Sequence, residues 1–250
     1  MGFVTLVVAV AINLLLRIRV PPRRSGPLAD WRAFTEMPYV FFVVGFFLIY
    51  WAVYFAFYYV STLPRLDLRA DRATDTGAKI DKYGHTFTGF TSTDSISVLL
   101  TSNGLGIVGR ILPGFVASRW CGPLNTAIPT ATLVAIILYC WIGVGDSRSG
   151  LYVFAAIYGF FASAIQSLFA VSLAALTDDL SKVGTRMGMV FSVVAFASLT
   201  GSPIAGALIQ ADGGTYLGAQ IWAGTSMLLG AAALTVARLG RTGFVLRAKT

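Results

Sequence analysis

NGLGIVGRILPGFVASRWCGPLN, residues 103–125, decides the fold class of this chain. Up to Val116 it is apolar except for Asn103 and Arg110, and it then stops on Arg119, Gly122 and Pro123, a base followed by two helix breakers. Asn103, Gly104, Gly106 and Gly109 thin such a helix, and Pro113 removes a backbone hydrogen bond and bends it. One run of this kind would suit the core of a soluble protein. Outward from it, however, similar runs recur along the chain, so that seven are read: 3–16, 37–60, 95–116, 124–144, 151–176, 187–210 and 216–237. A bilayer core about 30 Å thick takes roughly 20 apolar residues in a helix. The last six runs meet that length, the first is short, and Arg110 is the only charge read inside any of them.

Composition agrees. Hydrophobic side chains make up 56% of the 250 residues and charged ones 12%, with a mean hydropathy of +0.74. Soluble domains carry about 25% charged residues, so the chain has too little polar surface to cover a water-facing globule. The formal charge of +8 would suit nucleic acid if the bases shared one face, but they sit in short segments between apolar runs. A soluble enzyme and a nucleic-acid binder are both excluded, and the expected partner is the lipid bilayer.

The charges also set a topology. Arg17, Arg19, Arg23, Arg24 and Arg32 follow the first run, Arg110 and Arg119 close the third, Lys182 and Arg186 lie between the fifth and sixth, and Arg238, Arg241, Arg247 and Lys249 follow the last. These thirteen fall on one side; Arg65, Arg69, Arg72, Lys79, Lys82 and Arg148 fall on the other. The positive-inside rule makes the first side cytoplasmic, which places the N-terminus outside and the C-terminus inside. Residues 17–36 then read as a basic cytoplasmic linker, 37–237 as a six-helix unit and 238–250 as a cytoplasmic tail. Segment 64–94 is polar, charge-balanced and without apolar periodicity, and is expected to be a flexible external loop. The first run ends on Arg17 without the basic leader or cleavage site of a signal peptide, and is expected to be the tail of a helix.

Few residues could carry chemistry. His85 is the only histidine, and a metal site needs several converging ligands. Cys121 and Cys140 flank the fourth run about 28 Å apart at helical rise, too far to bridge. No metal, cofactor or catalytic residue is expected. In the aromatic second run Tyr50 and Tyr54 could offer hydroxyls to a solute, although aromatics occur all round and periodicity does not choose a face. Gly159, Ser163 and Ser167, like Ser198, Ser202 and Gly206, recur every four residues and would let helices approach closely. Gln166 is costly in lipid and points to a cavity or a neighbouring helix. Arg110 either snorkels to the interface or faces a water-filled cavity, where its planar fork can hold a carboxylate through two hydrogen bonds.

At this stretch a resemblance emerges. GRILPGFVASRWCGPLN (109–125) resembles the loop between helices eight and nine of major facilitator transporters, with its pattern G-x-x-A-D-R-x-G; Gly114, Ala117, Arg119 and Gly122 answer to it, and Ser118 stands where the acid belongs. GFFASAIQSLFAVSLAALTDDLSKVGTRMGM (159–189) and SLTGSPIAGALI (198–209) resemble helices ten and eleven of the fungal monocarboxylate-permease-like branch. The resemblance covers nearly the whole chain except 65–89, which looks like an insertion between helices seven and eight.

The resemblance implies an all-α membrane protein with a partial major facilitator-type bundle, made of the end of helix six and the six helices of a C-terminal half. In such transporters the substrate lies between two halves near the midplane, so a missing N-terminal half or a second copy is an implied partner. In monocarboxylate transporters an arginine on helix eight holds the carboxylate, with an acid four residues earlier assisting proton coupling. Arg110 takes the arginine's place and Gly106 the acid's, which implies carboxylate binding without coupling through that acid. The expected function is transport of a small solute, a monocarboxylate or other organic anion, across the plasma or vacuolar membrane. Asn103, Arg110, Tyr50, Tyr54 and Gln166 are the expected solute contacts. Gly109, Pro113, Gly114, Arg119, Gly122, Gly201, Pro203 and Gly206 are the expected conformational positions. A truncated chain without transport of its own is the alternative. A seven-helix receptor is a distant third, because the third run lacks an Asp-Arg-Tyr-like switch.

Overall fold

The computed structural model describes residues 2–15, 29–73, 92–144, 147–177, 179, 181–213 and 215–243. The described residues are all-helical: α1 (Gly2–Leu15), α2 (Met37–Ala73), α3 (Ser92–Val116), α4 (Pro123–Ile142), α5 (Arg148–Leu176), α6 (Val183–Ala211) and α7 (Leu217–Thr242). A 3-10 turn, Trp31–Thr35, precedes α2, and a π turn, Ala117–Cys121, follows α3. Six of these helices, α2 to α7, are long and apolar enough to cross a membrane. In lipid every backbone group must be satisfied within the helix, and the hydroxyls follow suit. Thr101, Thr130, Thr132, Ser192, Thr200 and Thr235, for example, each donate to the carbonyl four residues back.

Around α2 the helices α7, α4, α5 and α3 close a ring in that order, and α6 packs on α2 outside it. The core is the buried stripe of α2 (Phe42, Phe46, Ile49, Val53, Ala56) against Leu138 of α4, Ile165, Leu168 and Phe169 of α5, and Leu234 of α7. Every described side chain of α1, Leu6–Leu15, is exposed.

Two expectations are corrected here. The region expected to be a flexible loop from residue 64 is helical as far as Ala73, because α2 continues through LDLRADRA, and α3 already begins at Ser92. Leucine, arginine and alanine are strong helix formers, so a helix leaving the apolar layer need not stop there. Residues 74–91, which include His85 and most of the 65–89 segment, lie outside the described residues. Second, Arg110 is not the only charge on a membrane-length helix. Arg119 lies in the span Ile96–Cys121, Arg186 in Val183–Ala211, and Arg238 and Arg241 in Leu217–Thr242.

The small-residue spacing on α5 finds its partner on α3. The two helices run side by side in the same direction, pairing Ser102 with Gly159, Gly106 with Ser163 and Arg110 with Ser167, steps of four on both. A Cβ added at Gly159 would meet the Ser102 backbone, and one at Gly109 the Phe160 carbonyl. Gly109→Ala is therefore expected to force the seam apart and cost roughly 1–3 kcal/mol as overpacking does, measured by SDS titration of folding in mixed micelles. Gly104→Ala is the control, because nothing lies within 4 Å of a Cβ there. Equal effects from the two substitutions would mean that the seam does not hold α3 to α5.

Candidate solute-binding face

The aromatic block of α2 splits by face once the neighbours are present. Phe42, Phe46 and Tyr50, one turn apart, are buried, and all three rings lie against Phe169 of α5, with centroids 5.9, 4.8 and 5.7 Å away. From Tyr50 the contact passes outward to Tyr54 (5.9 Å), and from Phe169 to Phe191 of α6 (5.0 Å). Tyr54 and Phe191 are both exposed. A continuous aromatic wall thus joins α2, α5 and α6 and surfaces at two ends. Edge and offset ring contacts of this kind add to the stabilisation from the area they bury. Tyr50 and Tyr54 were legible in the sequence; Phe169 and Phe191 were not, because each is one apolar residue among many on its own helix.

Arg110 sits on the opposite flank of α5. Its backbone carbonyl accepts from the Ser167 hydroxyl at 3.2 Å, beside Gln166, while its side chain is exposed. Asn103, also exposed, spends an amide hydrogen on the Leu99 carbonyl of its own helix at 2.9 Å. Gln166 is half-buried. The structure therefore joins Tyr50 to Tyr54 directly and brings Arg110 to α5 through its backbone; among the described residues no hydrogen bond links the five side chains to one another.

The expected conformational residues separate similarly. Gly109 and Pro113 lie on the buried stripe of α3, and Gly114 has open space around it. Gly201 is buried against the Trp51 backbone of α2, where a Cβ would come within 2.8 Å of the carbonyl, and the Trp51 indole donates to Thr200 at 3.1 Å. Gly206 is half-buried, and Pro203 and Arg119 are exposed. Gly122 falls one place later than the spacing G-x-x-A-D-R-x-G requires, and the π turn takes up the extra residue. Its N–H reaches back five positions to the Ala117 carbonyl at 2.9 Å. Its φ of +87° then turns the chain into α4, a conformation that favours glycine.

One cluster was missed by sequence reading. Arg186, near the start of α6, is buried, and its Nη1 and Nη2 donate to the two carboxylate oxygens of Glu36 at 2.8 and 2.5 Å. Its Nε donates to Asp30 at 3.3 Å, its guanidinium lies 5.5 Å from the centre of the Tyr39 ring, and the Tyr39 hydroxyl donates to its carbonyl at 3.2 Å. Lys182 approaches Asp30 at 3.9 Å. The segment before α2 is thereby fastened to α6. The acids at 30 and 36 stood in a stretch dominated by arginines, and nothing local paired them with a base some 150 residues away.

No protein-family model matches the chain. It is similar to an MFS-type transporter of Gibberella zeae, 37% identical over 95% of this chain and 49% of that protein. An MFS-type transporter of Gibberella moniliformis is 31% identical over 95% of this chain and 52% of its own length, and an aspyridones efflux protein of Emericella nidulans 28% over 92% and 42%. The chain spans about half the length of these curated relatives. With six helices long enough to span and this similarity along almost all of its length, the chain is a multi-pass membrane protein similar to half of a fungal MFS-type transporter.

Proposed function

We propose that the chain forms the C-terminal half of a permease that moves a small organic anion by alternating access. In this reading Arg110 binds the acid group; the wall of Tyr54, Tyr50, Phe169 and Phe191 lies on the other flank of α5 and takes no part in that contact. The observation that carries the proposal is the uneven cover of the helices. Of the most apolar windows of α2 and α5, 56% of residues are buried, against 28% for α3 and 22% for α6. The thinly covered α3 exposes Arg110 and Asn103, and α6 exposes Phe191. A guanidinium inside a span is costly against lipid and suits a water-filled cavity, which a facing set of helices would create. The likeness of 109–125 to the loop between helices eight and nine assigns the half. Relatives named for the efflux of aspyridones and agnestins favour export. Gly106 stands where an acid would couple protons, so no coupling through that position is proposed.

The test is a chimera in which this chain replaces the matching half of the Gibberella zeae relative. In proteoliposomes the chimera is expected to show saturable benzoate counterflow, and the 250 residues alone none. Counterflow by the isolated chain as a monomer would sink the two-half reading. A well-folded chimera that transports other solutes but no organic anion would remove the anion from it.

A further inference from the structure

We propose that the 3-10 turn Trp31–Thr35 is an interfacial anchor, which seats Trp31, Phe34 and Met37 in the headgroup layer of the bilayer and pairs Arg32 with an anionic lipid phosphate. Residues three apart lie above one another on a 3-10 turn, and the rings of Trp31 and Phe34 accordingly stand 6.2 Å apart, centre to centre. Trp31 is 75% exposed, Phe34 38%, and Met37, at the start of α2, 63%. The other side of the turn faces the protein. Ala33 is fully buried, and Asp30, just before the turn, is nearly so. Asp30 and Glu36, the acids that flank the turn, are both spent on Arg186. Arg32 is exposed and has no ion pair among the described residues. The turn therefore shows apolar rings and one free positive charge outward.

Its position favours a lipid surface over a protein partner. The apolar window of α2 begins at Met37, two residues after the turn ends, so the rings stand where the chain enters the apolar layer. Tryptophan suits that depth because its ring is apolar while its N–H still finds an oxygen. A base on the polar edge of such a segment is drawn to anionic headgroups. The sequence before the turn has the same sign: residues 17–29 contain Arg17, Arg19, Arg23 and Arg24 and no acid. The anchor is also braced from behind. Phe34 meets the Tyr39 ring edge-on at 5.6 Å, and the Tyr39 hydroxyl donates to the Arg186 carbonyl. Seating the turn in the headgroups thus acts directly on the cluster that fastens it to α6. A water-soluble partner would meet the same rings without requiring them at the edge of a span.

The test uses the full chain with Cys121→Ser and Cys140→Ser, and a nitroxide attached through Thr35→Cys at the exposed end of the turn. A nitroxide attached through Ser181→Cys is the control, because Ser181 is exposed beside Lys182, at the same end of the bundle, and outside the turn. Each protein is reconstituted in vesicles of phosphatidylcholine, or of phosphatidylcholine and phosphatidylglycerol in equal parts. Power saturation then reads the access of a water-soluble nickel chelate to the label. Phosphatidylglycerol is expected to lower access at residue 35 about fivefold or more, since one base at an anionic surface is worth about that factor. Access at residue 181 is expected to stay nearly unchanged. Arg32→Gln is expected to give back about fivefold of the protection, and Trp31→Ser to raise access at residue 35 in both lipids. Both side chains are exposed, so neither substitution removes a buried contact. Equal access at residues 35 and 181 in the anionic vesicles would overturn the proposal, as would protection that neither substitution changes. In the chimera, protection of residue 35 that is the same in both lipids would overturn the lipid assignment in favour of the facing half.

Discussion

Arg186→Gln is expected to destabilise the protein by about 3 kcal/mol or more, the loss found when one partner of a buried ion pair is removed. The reason lies in what remains. Asp30 is 10% exposed, so without the guanidinium its carboxylate would be left in a poorly solvated place with only Lys182, at 3.9 Å, nearby. Glu36 is 47% exposed and recovers much of its hydration when unpaired. Glu36→Gln should accordingly cost about 1 kcal/mol, in the range of solvent-screened pairs, despite its shorter hydrogen bonds. The order of effects is therefore Arg186, then Asp30, then Glu36, whereas bond lengths alone would exchange the last two. Replacing all three together (Arg186→Met, Asp30→Asn, Glu36→Gln) should recover most of the loss, because desolvation cancels much of the attraction of such clusters. SDS titration of the parent, Arg186→Gln, Asp30→Asn, Glu36→Gln and the triple variant in mixed micelles reads these differences. If the triple variant is no more stable than Arg186→Gln, the cluster contributes through shape and not through charge balance.

Arg110→Lys is expected to abolish transport by the chimera nearly as completely as Arg110→Gln, at equal membrane expression. The two readings of this residue differ in what they ask of the side chain. An arginine snorkelling to an interface needs only a charge on a flexible stem, and lysine supplies that. An arginine holding a carboxylate needs two parallel N–H donors, and lysine does not present them. Losing one charge-assisted hydrogen bond lowers kcat/KM by about tenfold or more. Transport by the lysine variant close to that of the parent would assign Arg110 to the interface. Folding is not expected to confound the comparison. The link of Arg110 to α5 runs from its backbone carbonyl to Ser167, which every substitution keeps.

The sequence by itself determined the solvent and the class of element. Low charge and repeated apolar runs of bilayer length need no neighbours to be read, because a helix in lipid satisfies its own backbone. It also determined the four-residue small spacing on α5, the aromatic density of α2, and Arg110 as an arginine within an apolar run. Boundaries were less legible where charge was involved. Arg186 was assigned to a loop because an unpaired arginine ends an apolar run, and it lies inside α6 because Glu36 and Asp30 meet it there. Only tertiary structure decided which surfaces meet. Helical periodicity fixes a residue's angle about its own axis but not the neighbour on that side. Hence the seam of Gly106 and Gly109 against α5, the aromatic wall that adds Phe169 and Phe191 to Tyr50 and Tyr54, and the cluster of Arg186 with Glu36 and Asp30 came into view only with the packed helices. Each depends on contacts between residues far apart in the chain, chosen by shape and by charge partners that no local pattern encodes.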